Sequence, residues 1–172
     1  MNSRELYEKI MLLRNHGLKN RNEVEFLAYN SRLDTIQAIV ANNVMRKLDY
    51  VTEKRIGNAR KYDERLAELT EVVSTPTKKK NVKHVFHVYV IRARKRDELA
   101  GFLEKNGIET KIHYPIPIHL QKGCRYLGYK NGDFPVCEAQ AKEIMSLPVH
   151  QNLSDDEINY VAGKIKEFYG KK

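Results

Sequence analysis

The sequence contains no tryptophan and only two cysteines, Cys124 and Cys137, among its 172 residues. Two cysteines this far apart form neither a disulfide framework nor a paired-thiolate zinc motif, so we expect a reducing compartment, with the cytoplasm as the default. The nine glycines form neither a GxGxxG nor a Walker sequence. Both common nucleotide-binding fingerprints are therefore excluded.

Long apolar runs are also missing. The short run at residues 10–13 is flanked by charged residues and ended by Arg14, which is typical of an amphipathic helix and of neither a signal peptide nor a membrane span. The formal charge of +9 indicates anionic partners in general. Because the basic residues are scattered among acids and no nucleic-acid-binding signature accompanies them, we expect neither nucleic acid nor a membrane as a partner.

Hydrophobic periodicity predicts an α+β fold, in which a small sheet of about three strands is covered by helices and preceded by a long helix. The β-branched and aromatic segments place the strands at residues 85–92, 108–113 and 147–150. Amphipathic segments place later helices at residues 96–106 and 134–146, and after a cap formed by Ser154 and Glu157. In the N-terminal part we expect a helix that is capped by Asn2 and ends at Gly17, followed by a loop over residues 15–30. The long helix should then begin at a cap formed by Ser31 and Asp34 and continue to residue 69, with a possible bend at Gly57.

The segment from His113 to His119 combines two histidines with two prolines, Pro115 and Pro117. Proline fixes φ and removes a backbone donor, so the segment should leave the preceding strand as a stiff, extended arm. A stiff arm holds its histidines at fixed positions, as a binding site needs, but a structural edge segment has the same pattern. The spacing leaves both interpretations open. No metal site is expected, because the spacings of these histidines and the two cysteines match no common zinc pattern.

Asn30 and Arg32 flank Ser31 at the predicted start of the long helix. A helix N-terminus favours an anion, and both side chains can donate hydrogen bonds to a phosphate. Alternatively, Asn30 and Ser31 only cap the helix and Arg32 pairs with a carboxylate. The residues alone favour this second interpretation.

Several short segments, none specific alone, follow one another in an order that resembles the C-terminal portion of the DegT/StrS family of nucleotide-sugar aminotransferases. The resemblance covers nearly the whole chain. The matching segments are Arg14-Asn15-His16-Gly17, Tyr29-Asn30-Ser31-Arg32-Leu33-Asp34 with Ile36-Gln37-Ala38, the strand from His87 to Ile91, Ile112-His113-Tyr114-Pro115-Ile116-Pro117-Ile118-His119, Tyr126-Leu127-Gly128-Tyr129, Asp133-Phe134-Pro135 and Ser146-Leu147-Pro148.

The resemblance implies a fold-type I, pyridoxal 5'-phosphate (PLP)-dependent enzyme that transfers an amino group to a nucleotide-linked keto sugar. It also implies a homodimer in which two subunits build each active site. By this resemblance, Asn30 reaches the PLP phosphate of the opposite subunit, with Arg32 nearby. The arm then supplies the candidate substrate-binding residues His113, Tyr114 and His119, of which His113 lines the substrate side and His119 is expected to be mainly structural.

The sequence departs from the family where the chemistry requires a Schiff-base lysine. No lysine here falls in a matching segment, so no catalytic residue is assigned to this chain, and we expect it to be inactive without an N-terminal lysine-bearing domain. The resemblance assigns residues 1–32 to the end of the large domain and its connecting loop, and residues 33–172 to the small C-terminal domain. A missing large domain predicts exposed apolar surface on the first and the long helix. The alternative hypothesis is a stand-alone, non-catalytic binding or dimerisation module.

Overall fold

The computed structural model describes residues 3–170. The chain divides into two compact units between Leu48 and Asp49. The domain boundary expected after residue 32 stays a prediction.

The first unit begins with helix α1, Arg4–Leu13. Its cap is Ser3, whose Oγ accepts a hydrogen bond from the Leu6 amide at 3.3 Å. The predicted cap, Asn2, lies outside the described residues. The helix ends before Gly17 because His16 and Gly17 both have positive φ, and the Gly17 amide closes a turn on the Leu12 carbonyl at 2.8 Å.

Residues 15–30 are not wholly a loop, since they contain a short antiparallel hairpin of β1, Leu18–Asn20, and β2, Glu23–Val24. Both strands lack buried residues, so no hydrophobic alternation marked them in the sequence. The chain then leads to helix α2, Thr35–Met45. The cap of α2 is Asp34 with Gln37, and the predicted participation of Ser31 was wrong.

The predicted long helix is two helices, because α2 ends at Met45 and α3 spans Leu48–Leu66. The Lys47 amide bonds to the Val44 carbonyl at 3.0 Å, which tightens the last turn of α2 and ends it. No glycine or proline marks this break. Helix α3 instead continues through Gly57, where a bend had been considered possible.

The second unit contains a three-stranded antiparallel sheet in the order β3-β4-β5. Its strands are β3, Val73–Ser74, β4, Tyr89–Ala93, and β5, Ile144–Leu147. The α+β class and the number of strands are therefore confirmed, but the predicted strand over residues 108–113 was wrong. Only Lys111 forms a bridge, to Ser146, before the chain enters the proline arm. The third predicted strand lies earlier than expected because the preceding helix ends at Glu143.

The remaining helices of this unit are α4, Arg96–Lys105, α5, Pro135–Glu143, and α6, Asp155–Phe168. Single 3₁₀ segments occupy Ala67–Leu69, Ile118–Leu120 and Lys122–Leu127. The predicted capping box of Ser154 and Glu157 is confirmed. Helices α3, α4 and α6 bury apolar side chains against the sheet. The largest fully buried side chains of this core are Tyr62, Leu66, Leu69, Tyr89, Ile91, Leu99, Leu103, Met145, Ile158 and Ile165.

Among residues 3–170, no helix is long and apolar enough to cross a membrane.

Candidate functional site

In the first unit, Asn15, Arg32 and Asn30 form what we call the amide–arginine cluster. Arg32 Nε donates a hydrogen bond to Asn30 Oδ1 at 3.1 Å, and Arg32 Nη1 donates to Asn15 Oδ1 at 3.3 Å. Backbone pairing brings these side chains together, since Asn15 and Asn30 form an antiparallel bridge. The Ser31 amide also donates to the Arg14 carbonyl at 2.8 Å. The cluster is thus set by the backbone that joins the end of α1 to the segment before α2.

The cluster leaves hydrogen-bond donors pointing outward. Arg32 occupies the amide oxygen of Asn30, so the free part of that side chain is its NH₂ group, which has no partner within residues 3–170. Asn30 and Arg32 are both exposed. The capping role is filled by Asp34, and in the described chain Arg32 bonds to amide oxygens rather than to a carboxylate. An amide NH₂ beside a guanidinium is a suitable pair of donors for a phosphate oxygen.

A cleft of about 630 Å³ lies beside this cluster in the same unit. Its walls include the basic side chains of Arg14, Lys19 and Arg32, together with Asn15. Glu8 is the acidic residue on its wall. The excess of positive charge makes this cleft more suitable for an anion than for a cation.

The second unit has its own cleft, of about 820 Å³, and its lining includes three histidines and several apolar side chains. The histidines are His87, His113 and His150. The apolar wall includes Ile108, Leu147, Val149 and Val161. Charged side chains also line the cleft, namely Arg55, Glu109, Lys111, Asp156 and Glu157. An apolar wall combined with polar groups is typical of a small-molecule site.

His113 is held at the edge of this cleft by a hydrogen bond between its Nδ1 and the hydroxyl of Ser146, at 2.9 Å. Ser146 is only 7% exposed and lies in β5. Tyr114 follows on the proline arm, with its ring at right angles to the imidazole and 73% exposed. The structure therefore brings His113 and Tyr114 together on an accessible surface.

His119 has a different environment, because it is buried and lines neither this cleft nor the smaller one, of about 390 Å³, beneath the arm. Its Nε2 lies 3.0 Å from Glu138 Oε1, and its ring packs against Phe134 with centroids 4.7 Å apart. Glu138 also accepts from the backbone amides of Gly132, at 2.8 Å, and Phe134, at 3.3 Å. The contacts of His119 thus fasten the end of the arm to the start of α5.

The Glu138 carboxyl group has a perturbed pKa. Burial acts to raise this pKa, but the hydrogen bonds from the Gly132 and Phe134 amides and from His119 outweigh it and hold the pKa below its usual range. This carboxylate therefore stays ionised and anchors the loop before α5.

Lys111 is a lysine on the wall of the larger cleft, and its ammonium group pairs with Glu109 at 2.7 Å. The hydrogen bond and the charge of Glu109 raise the pKa of Lys111. An amine must lose its proton before it attacks a carbonyl, so this pairing opposes a Schiff-base role. Among residues 3–170 there is also no group of three or more His, Cys, Asp or Glu side chains that could hold a metal ion.

Sequence reasoning missed two supporting residues, Asn15 and Ser146. Both lie in segments that carried the family resemblance, but neither was assigned a role. Their only local signal was a polar residue beside an apolar helix end or within an apolar strand. Their contacts depend on backbone pairings between distant segments, Asn15 with Asn30 and Ser146 with Lys111, which periodicity does not show.

Comparison with known proteins places these features in a family. The DegT/DnrJ/EryC1/StrS aminotransferase family model matches residues 1–166. The chain is 44% identical to a pleiotropic regulatory protein of Geobacillus stearothermophilus over 98% of this chain and 45% of that protein. It is 32% identical to the dTDP-3-amino-3,6-dideoxy-alpha-D-galactopyranose transaminase of Aneurinibacillus thermoaerophilus over 97% of this chain and 45% of that enzyme.

The crystal structure of DesV from S. venezuelae superimposes with a TM-score of 0.88 at 30% identity, and the match covers all of this chain and 46% of DesV. The fold is thus that of the C-terminal region of the fold-type I sugar aminotransferases, which confirms the resemblance predicted from the sequence. The chain spans less than half the length of the relatives it matches. It belongs to the DegT/DnrJ/EryC1/StrS aminotransferase family.

Proposed function

We propose that this chain is the C-terminal portion of a PLP-dependent aminotransferase that acts on nucleotide-linked keto sugars in the cytoplasm, and that it works only with a lysine-bearing N-terminal portion. The observation that carries the proposal is the amide–arginine cluster, in which Arg32 occupies the oxygen of Asn30 and leaves the amide NH₂ exposed. This side chain is oriented to donate, as contact with a phosphate requires.

The residues present fit the phosphate of PLP. Asn30 and Arg32 would hold it, and the basic cleft beside them would favour its charge. PLP, when bound, supplies the carbonyl group and the electron-withdrawing ring through which an amino group is transferred. In a dimer the phosphate held by Asn30 would belong to the site of the opposite subunit. The Schiff-base lysine would come from the other portion of the enzyme, because no lysine of this chain falls in a segment that resembles the family.

The larger cleft is proposed to receive the sugar. His113, which lines this cleft, would contact the sugar oxygens, and the exposed Tyr114 would contact the substrate from the smaller cleft that it lines. The buried His119 keeps the arm in place through Glu138. Bound oxygens need directional donors, which imidazole and phenol groups provide.

The partner is indicated by helices α1 and α2, which contain no buried residue. Helix α2 has no charged residue at all, and Ile36, Ile39 and Val44 are 77%, 63% and 56% exposed. The predicted exposure of apolar surface on these helices is therefore confirmed. A helix that is apolar on most of its circumference is normally buried, so α2 requires a covering surface. We propose that the N-terminal portion of the enzyme, and the second subunit, cover it.

The experiment is to coexpress this chain with the N-terminal portion of its Geobacillus stearothermophilus relative and to measure copurification, PLP retention and transamination of a nucleotide-linked keto sugar. We expect a stable complex that retains PLP. Asn30→Ala should weaken PLP retention by about tenfold or more, the effect of losing one hydrogen bond to a charged group. Asn131→Ala removes a second exposed asparagine and serves as the matched control, which should retain PLP like the wild type.

Failure to form the complex would support the non-catalytic module instead. A complex that retains PLP equally well with Asn30→Ala would contradict the assigned role of the amide–arginine cluster.

A further inference from the structure

The hydrogen bond between Ser146 and His113 defines which edge of the imidazole is free. The Ser146 hydroxyl meets Nδ1 of His113 at 2.9 Å, and the opposite ring nitrogen, Nε2, has no partner within residues 3–170. His113 lines the large cleft of the second unit. The atom available to a ligand is therefore Nε2, and its chemistry depends on which ring nitrogen carries the proton.

The backbone of Ser146 is already engaged on both sides. Its amide donates to the Lys111 carbonyl at 2.7 Å, and its carbonyl accepts from the Lys111 amide at 3.3 Å. Ser146 also pairs with Val90 in the sheet. In the described chain, His113 is the hydrogen-bond partner of the Ser146 hydroxyl. Ser146 lines the cleft but is only 7% exposed, so few water molecules can compete with this partner.

Two arrangements satisfy the geometry. If Nδ1–H donates to the hydroxyl oxygen, the hydroxyl proton of the buried Ser146 has no acceptor among residues 3–170. If the hydroxyl donates to Nδ1, its proton is satisfied and only oxygen lone pairs remain unused. A buried donor without a partner is rarer and more costly than an acceptor with spare lone pairs.

We infer that Ser146 is a positioning residue that donates to His113 Nδ1, fixes the ring as its Nε2–H tautomer, and so turns a hydrogen-bond donor toward the cleft. The inference deepens the proposed function and rests on it for the identity of the ligand, which would be an acceptor oxygen of the sugar substrate. A neutral N–H donates to a carbonyl or hydroxyl oxygen, whereas a bare ring nitrogen can only accept from a hydroxyl and would repel a carbonyl oxygen.

The test measures the tautomer of His113 by two-bond ¹H–¹⁵N correlation spectra of the ¹⁵N-histidine-labelled chain, above the pH at which its imidazole is charged. His113→Gln identifies the resonance. His84 is an internal reference, because the Phe86 amide donates to its Nδ1 at 3.0 Å and an amide can only donate. His113 should show the same Nε2–H pattern as His84.

The matched variants are Ser146→Thr and Ser146→Val, which have nearly the same shape and differ in the hydroxyl. We expect Ser146→Thr to keep the single tautomer. In Ser146→Val the population ratio of the Nε2–H to the Nδ1–H tautomer should fall about tenfold, the effect of one net hydrogen bond. The Glu138-bonded His119 should be unchanged in both. Ser146→Ala also removes the hydroxyl but adds no side-chain volume, so it should show the same loss of tautomer preference.

A wild-type His113 that carries its proton on Nδ1 would overturn the inference, as would an unchanged tautomer in both Ser146→Val and Ser146→Ala. The spectra need neither cofactor nor partner. The positioning role can therefore fail while the coexpressed complex is active, or hold while that complex does not form.

Discussion

Asn58 links α3 to the segment that forms one wall of the large cleft, and its replacement tests that link. The side chain is 3% exposed, and its Nδ2 donates to the His150 carbonyl at 2.9 Å. Asn58→Ala leaves that carbonyl without its donor, which costs about 1–3 kcal/mol. Alanine regains about 0.6 kcal/mol of helix propensity. We expect a net loss of about 1–2 kcal/mol, seen as a fall in Tm of about 5 °C by circular dichroism.

Two controls separate the hydrogen bond from packing and from helix propensity. Gln140→Ala removes an amide from an exposed position of α5 in the same unit, and its Tm should stay near that of the wild type. Asn58→Leu keeps most of the side-chain volume but cannot donate, so it should lose stability like Asn58→Ala. If Asn58→Leu were as stable as the wild type, packing rather than the His150 contact would account for the role of Asn58.

Three further predictions concern other parts of the chain. The pKa of Glu138 is held below its ordinary 4.5, so its carboxylate contributes stability above that pH, and this contribution is lost as the pH falls through the lower pKa of the folded state. The difference in free energy of unfolding between the wild type and Glu138→Gln, measured by urea titration, should therefore shrink on acidification. Ile39→Lys should reduce self-association of the isolated chain in sedimentation velocity, whereas Ala139→Lys, the same charge on exposed α5, should not. Gly17→Ala should accelerate hydrogen exchange in the β1–β2 hairpin, because the added Cβ would lie 1.8 Å from the Phe26 carbonyl oxygen. By contrast, Gly57 has open space around it in the described chain, so Gly57→Ala should stabilise α3 by about 0.5–1 kcal/mol.

Elements with strong local signals were predictable from the sequence. Helix α6 carries both a capping box and a regular apolar face, and the structure has both. Helix α4 begins at Arg96 and is followed by Gly107 with φ +75°, as its terminal glycine indicated. In these segments local propensity and tertiary packing favour the same structure.

The wrong secondary-structure predictions lie where pairing between distant segments decides whether a strand or helix forms. Strand β3 is two residues long and leaves no periodic signal, and residues 108–113 resemble a strand although only Lys111 finds a partner. The break between α2 and α3 involves ordinary helix formers, so propensity does not locate it.

For the candidate site, the sequence could name residues but not show how their side chains are oriented. The sequence pointed to Asn30 and His113, but their orientation depends on Arg32 and Ser146. Those two contacts are set by backbone bridges between segments that are distant in the sequence. Side-chain orientation is therefore the part of the site that required the structure.

The central claim is that this chain supplies a phosphate contact but no Schiff-base lysine. The most direct measurement is to incubate the purified chain with PLP, reduce it with borohydride, and map the modified lysines by peptide mass spectrometry. The account predicts sparse labelling spread over surface lysines. Stoichiometric labelling of a single lysine would contradict it, because the chain would then contain a complete cofactor site of its own.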